Sequence, residues 1–153
     1  MKKISFSLIL LFIISCSSFL VKENIYTPGD ELVYVVNLNE REDDLFEVHL
    51  YVNNLDSTNA VYQFAASAPG TYQTMDMGRY VKSFTAYDQN GNRISSQHIS
   101  TNQWEISEPE KVESIYYQIA ETWDTPVDSN QIYPMCGTSI EADHVLINGQ
   151  GPY

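Results

Sequence analysis

The stretch "LFEVHLYVNN", residues 45–54, puts Phe46, Val48, Leu50 and Val52 on one side of an extended chain and Glu47, His49 and Tyr51 on the other. Successive side chains of a strand point to opposite faces, so this alternation describes a strand with one face in a core and the other in solvent. The same period recurs in "GRYVKSFTAYD", 78–88, which groups Tyr80, Lys82, Phe84 and Ala86, and in "VESIYYQIAETW", 112–123. No stretch carries apolar residues at helical spacing over three turns. A chain patterned this way must bury one face of each strand against a second layer, which points to an all-β fold.

The remaining segments fit that expectation. "LVYVVNLN" (32–39), "AVYQFAA" (60–66), "RISSQHIS" (93–100), "NQWEIS" (102–107) and "HVLIN" (144–148) read as further strands. "REDD" (41–44) is a charged turn that joins the first two strands as a hairpin. "QNGN" (89–92) holds Asn-Gly, which predicts a type I′ turn returning into 93–100. "DTPVDSNQIYPMCGTSIEADH" (124–144) has two Pro, a Gly and few periodic apolar residues, and reads as a long, partly ordered loop. Strands spaced by roughly 8–12 residues with turns between them predict an antiparallel β-sandwich. A hydrophobic content of 43% is enough for a core, and 153 residues suit one domain. The ending "GQGPY" after an apolar run reads as a chain about to enter another strand. A sandwich lacking its last strand or strands is therefore expected, and the chain is read as a fragment.

The first residues stand apart. "MKK" is a positive start, and "ISFSLILLFIIS" is an apolar run of signal-peptide length, shorter than the roughly 20 residues of a spanning helix. It leads into "IISC", 13–16, which resembles the bacterial lipobox, whose Cys is acylated and becomes the new N-terminus. Cys16 is thus the expected lipidation site, carrying diacylglycerol and palmitate-type chains into a bilayer. Two or more acyl chains anchor a domain stably where one does not. Ser17 rather than Asp after the Cys favours the outer membrane of a bacterial cell envelope. The expected organisation is a signal peptide over 1–15, a tether over 16–30 and a β-sandwich domain over 31–153.

Charge and motifs narrow the function. The net charge is −12, and removing residues 1–15 takes Lys2 and Lys3 away, leaving six basic residues against 20 acidic. Nucleic acid is excluded as a partner because its recognition needs a basic face. There is no His-Glu-x-x-His, no Gly-x-Ser-x-Gly, no Walker loop and no Cys-x-x-Cys. The three His, at 49, 98 and 144, lie far apart in sequence. Glu141, Asp143 and His144 have the chemistry of metal ligands, but the favoured reading is a solvated loop face. No catalytic residue, metal site or cofactor is expected on this chain. With Cys16 acylated, Cys136 has no partner for a disulfide, and it reads as an inert small residue.

One loop departs from this plainness. "SAPGTYQTMDMGRYV", 67–81, joins two strands but is far longer than an ordinary connection. Pro69 and Gly70 are its turn residues: Pro sets φ, and Gly opens conformations closed to other residues. Tyr72 is expected over the edge of the sandwich with its hydroxyl on backbone. Tyr72, Asp76 and Arg79 are the candidates for an interface or substrate-proximal role, with Asp76 able to pair with a free amine.

The ordered set of motifs resembles the N-terminal domain of the glycyl aminopeptidase family of zinc metallopeptidases. Pro69, Gly70, Thr71 and Tyr72 match its Pro-Gly-Ser/Thr-Tyr motif. Arg79 follows, then Ala86, Asp88 and Gly91 in Ala-x-Asp-x-x-Gly, Asn102 and Trp104 in Asn-x-Trp, Tyr116 and Tyr117 in a strand, and Asn148 after an apolar pair. The match runs from about residue 26 to the end. Ser67 departs from it, since the family often has Trp or another large residue there. The resemblance implies a non-catalytic β-domain preceding a thermolysin-like catalytic domain that carries the zinc. On that reading the partners are the bilayer, through acylated Cys16, a C-terminal catalytic domain, and peptide. The competing expectation is a stand-alone surface lipoprotein that binds a peptide, glycan or protein.

Overall fold

In the computed structural model, residues 31–39, 42–149 and 151 are described. The expected signal peptide, Cys16 and the tether lie outside them. The described chain is built from ten strands: β1 Val33–Asn37, β2 Leu45–Tyr51, β3 Val61–Gln63, β4 Val81–Tyr87, β5 Arg93–Ile94, β6 Ser96–Ser100, β7 Gln103–Ile106, β8 Ser114–Ala120, β9 Ser139–Ile140 and β10 Val145–Leu146. A five-stranded sheet runs β1-β2-β8-β4-β5, a three-stranded sheet runs β3-β7-β6, and β9 and β10 form a small hairpin. Every pairing is antiparallel. The sheets stack as the expected sandwich.

Alternation decides the layers. In β2 the buried positions are Phe46, Val48 and Leu50, as read from the sequence, and Val52 continues the row just beyond the strand. In β8 they are Ile115, Tyr117 and Ile119. Between the sheets lies an aromatic cluster. The Phe64 ring stands edge-on to Tyr117 at 5.0 Å and to Trp104 at 5.3 Å, and Phe84 stacks on Trp104 at 5.4 Å. Edge-to-face and offset contacts match the ring quadrupoles, contributing about 0.5–1.5 kcal/mol each beyond their area. Tyr62 packs on Phe84 from the facing sheet, and burial, with Tyr117 and Tyr34 behind it, pushes its hydroxyl far above the ordinary tyrosine range.

The hairpin of β1 and β2 forms as expected. Three other expectations are corrected. Tyr80 and Lys82 do not continue the Phe84–Ala86 face. Met77–Tyr80 is a 3₁₀ turn, and the ladder between β4 and β8 slips between Val81 and Ser83, so Lys82 is the extra residue of a bulge and points to solvent. The expected type I′ turn over 89–92 does not form: Gly91 N–H donates to Asp88 O at 3.0 Å, so the turn runs over 88–91, neither central residue takes positive φ, and Gly91 after them does, at +76°. The Asp88 carboxylate holds this loop by accepting from the Asn90 and Asn92 amides, both at 2.8 Å, which holds its pKa below the usual 3.8. Finally, 93–100 is not one returning strand. It divides at Ser95, with β5 pairing β4 and β6 crossing to pair β7 in the other sheet.

Candidate functional site

The long crossover between β3 and β4 is built from its turn outward. Thr71 N–H donates to Ala68 O at 3.2 Å, and Gly70 has φ +87°. Pro at the second position and a left-handed Gly at the third mark a type II turn, so Pro69 and Gly70 take the roles their types dictate. Beyond the turn the chain returns to its own start. Met75 and Asp76 N–H both donate to Ala66 O, and Met77 N–H donates to Ala65 O. Met75 and Met77 bury fully and anchor the loop in the core. Their role escaped the sequence reading because a loop has no periodicity to mark its buried positions.

The second half of the crossover closes on the turn between β6 and β7. The Asn102 side chain, almost fully buried, accepts from Gly78 N–H at 3.0 Å and donates to Asp76 Oδ1 at 2.8 Å. Gly78 lies so close to this segment that an added Cβ would sit 2.0 Å from Thr101 O. Asp76 itself holds a left-handed backbone, φ 47° and ψ 60°, which is uncommon outside glycine and best tolerated by Asn and Asp.

Arg79 faces inward. Its Nε donates to Met75 O at 3.1 Å, and its two Nη atoms donate to Ser129 O and Asn130 O. The planar fork of a guanidinium suits two adjacent carbonyls, and here it ties the crossover to the loop after β8. Gln73 adds a second stitch, accepting from Tyr133 N–H at 2.9 Å. The loop has its own anchor in Glu121, which is buried. Its carboxylate accepts from the backbone amides of Trp123 at 2.8 Å, Asp124 at 2.6 Å and Thr125 at 3.0 Å. A buried carboxylate is costly unless hydrogen-bonded, and these donors satisfy it. Nothing in the local sequence distinguished Glu121 from the other acidic residues. The 124–144 segment is thus tied to the body of the domain by hydrogen bonds, and it includes β9.

The structure brings Asp76 and Arg79 to one cleft of about 400 Å³, with Thr101, Val127 and Asp128 among its walls. Tyr72 is not part of it. Its ring does not lie over the sandwich edge as expected, but stands 96% exposed on a left-handed backbone, φ 55°. Glu141, Asp143 and His144 also stay apart as ligands. Glu141 accepts from Ser139 Oγ at 2.9 Å, His144 pairs with Asp143 at 2.8 Å, and no three His, Cys, Asp or Glu side chains converge among the described residues. Cys136 is buried. No helix among the described residues is long and apolar enough to cross a membrane.

Two stacked antiparallel sheets, with one long crossover clamped to a second loop at their end, define a β-sandwich module. The family profile described as the Peptidase M61 N-terminal domain matches residues 33–152, and the chain belongs to that family. It is therefore an N-terminal domain of the peptidase type. A crystal structure of an aminopeptidase N family protein from Idiomarina loihiensis is similar in fold, with a TM-score of 0.54 and 21% identity. The likeness covers 61% of this chain and 16% of that one, so the chain spans a small part of that protein's length. No curated protein matches the chain.

Proposed function

We propose that this chain is the non-catalytic N-terminal β-domain of a lipid-anchored, extracytoplasmic zinc aminopeptidase, where it supports the catalytic domain or shapes access of substrate to it. The observation that carries this reading is the family match over 33–152, which includes the whole clamped crossover. That crossover offers two features to a neighbour: the exposed Tyr72 ring and the cleft that holds Asp76 and Arg79. A second domain or a peptide N-terminus is the partner we assign to them. The zinc belongs to the catalytic domain, and no step is assigned to a metal on this chain. The anchor is acylated Cys16, placing the domain on the outer membrane of a bacterial envelope.

The test is to read the transcript past codon 153. An open frame encoding a His-Glu-x-x-His helix is expected, and a stop codon directly after Tyr153 overturns the peptidase reading. The anchor is tested separately by feeding cells an alkyne-tagged palmitate. Labelling that is lost in Cys16→Ser supports acylation at that residue; labelling that persists overturns it.

A further inference from the structure

The outer face of the five-stranded sheet is a surface that the peptidase reading does not use. Strand register sets Tyr51, Ser114 and Tyr87 side by side in one row, and His49, Tyr116 and Thr85 in the next. Their sequence neighbours Leu50, Ile115, Tyr117 and Ala86 are buried, so by alternation both rows face away from the core. Tyr51 and Tyr87 stand one strand to either side of the small Ser114. At about 4.8 Å per strand, their backbones lie about 10 Å apart with a low floor between them.

Side-chain contacts tie this face together. The His49 and Tyr116 rings pack 4.7 Å apart. Tyr116 Oη donates to Glu47 Oε1 at 2.9 Å, Gln118 Nε2 donates to the same oxygen at 3.2 Å, and Ser83 Oγ donates to Gln118 Oε1 at 3.0 Å. Four half-buried rings therefore sit on strands rather than loops, the placement that gives a binding surface its precision.

At the ends of the strands that carry this row lies a cleft of about 590 Å³, lined by Asn53, Asn54, Gln89, Asn90 and Glu113 among others. Asn53 lies two residues past Tyr51, Gln89 two past Tyr87, and Glu113 immediately precedes Ser114. The volume is within the range of small-ligand sites, roughly 300–1,000 Å³. Its lining is rich in amides, and each amide both donates and accepts.

Charge selects among occupants. Glu47 is already engaged by Tyr116 and Gln118, Arg93 is a single cation beside Tyr87 at the edge of the sheet, and the cleft sets Asp88, Glu110 and Glu113 against Lys111. A polyanion is therefore disfavoured. A saccharide ring has an apolar C–H face that stacks on aromatic rings, and neighbouring hydroxyls that pair with an amide's N–H and C=O together. We propose that this face and the adjoining cleft bind a neutral oligosaccharide, with sugar rings over the tyrosine row and hydroxyls in the amide-lined cleft.

The test is calorimetric titration of the full chain with cellohexaose, chitohexaose and maltohexaose, and with heparin and oligolysine as charged probes. Binding to at least one neutral hexasaccharide is expected. Tyr51→Ala and Tyr87→Ala should each weaken it about tenfold, with circular dichroism showing that the variants remain folded. Tyr133→Ala, an exposed ring outside the two rows, should leave it unchanged. The proposal is overturned by silence across all three neutral sugars, by binding that survives both substitutions, or by a preference for either charged probe. None of these outcomes bears on the peptidase reading, which rests on the family match over 33–152.

Discussion

The side-chain amide of Asn102 bridges Asp76 and Gly78, accepting from the Gly78 backbone and donating to the Asp76 carboxylate, so one residue of the turn between β6 and β7 holds the end of the crossover that feeds the other sheet. One of these bonds is charge-assisted, and the site is buried. Asn102→Ala should cost about 2–3 kcal/mol of stability in urea denaturation. Asn102→Asp should cost more, because a second carboxylate would then face Asp76 without a donor between them. An Asn102→Ala protein as stable as the parent would remove the bridge from the account of the fold.

Two glycines of the same crossover should respond differently. At Gly70 an added Cβ meets nothing within 4 Å, but the backbone is left-handed, so Gly70→Ala should cost only about 1–2 kcal/mol. At Gly78 the new atom would fall 2.0 Å from a backbone oxygen, which no rotamer relieves. Gly78→Ala should cost about 3 kcal/mol or more. Equal midpoints in thermal denaturation would contradict the close approach to Thr101.

Arg79 is the clamp on the second loop. Arg79→Ala should free the 126–130 segment and raise its limited-proteolysis rate about tenfold, while the global melting transition shifts less. Arg79→Lys should lie between the two, since a single ammonium cannot span both Ser129 O and Asn130 O as a fork does. Unchanged cleavage in Arg79→Ala would show that Gln73 and Glu121 hold the loop unaided.

Glu121 offers a matching test at the loop's other end. Glu121→Gln keeps the shape and removes the charge that accepts from three amides. The expected loss is about 1–3 kcal/mol, read as a lower urea midpoint with an unchanged slope.

Acid sensitivity follows from the turn aspartates. Asp88 is held below its usual 3.8 by Asn92 first and Asn90 second, and Asp56 below the same value by Thr58. A carboxylate whose folded pKa is depressed contributes stability that is present above the unfolded value and lost as pH falls through the folded one. The melting temperature should therefore decline as pH drops below about 4, where free aspartates begin to protonate. An Asp88→Asn, Asp56→Asn double variant should show a shallower decline; a slope identical to the parent's would place the acid sensitivity elsewhere.

Much of the fold was legible because strand alternation is a local property. Residues 45–54 read correctly to the individual side chain, and Pro69 and Gly70 read correctly as a turn, since φ restrictions belong to the residue itself. The Lys82 bulge was not legible, because nothing in "YVKSF" says that one residue will be skipped by its neighbour β8. Nor was the division of 93–100, where a single residue, Ser95, carries the chain from one sheet to the other. The Asn-Gly signal located the hairpin but not its type, because the chain turns one residue earlier, with Asp88 as the first residue of the turn and Gly91 as the last.

The candidate site shows the same boundary more sharply. The sequence by itself determined which chain segment was unusual, which residues would turn it, and which strands would have a buried face, because each follows from spacing and backbone sterics within a few residues. Only the tertiary structure decided that Arg79 turns inward to two carbonyls some 50 residues away, that Asn102 reaches back 26 positions to Asp76, and that Tyr72 is left in solvent. Those outcomes depend on which donors and acceptors are brought together when the sheets stack. A buried polar group must find a partner wherever the fold supplies one, and its distance along the chain carries no information about which partner that will be.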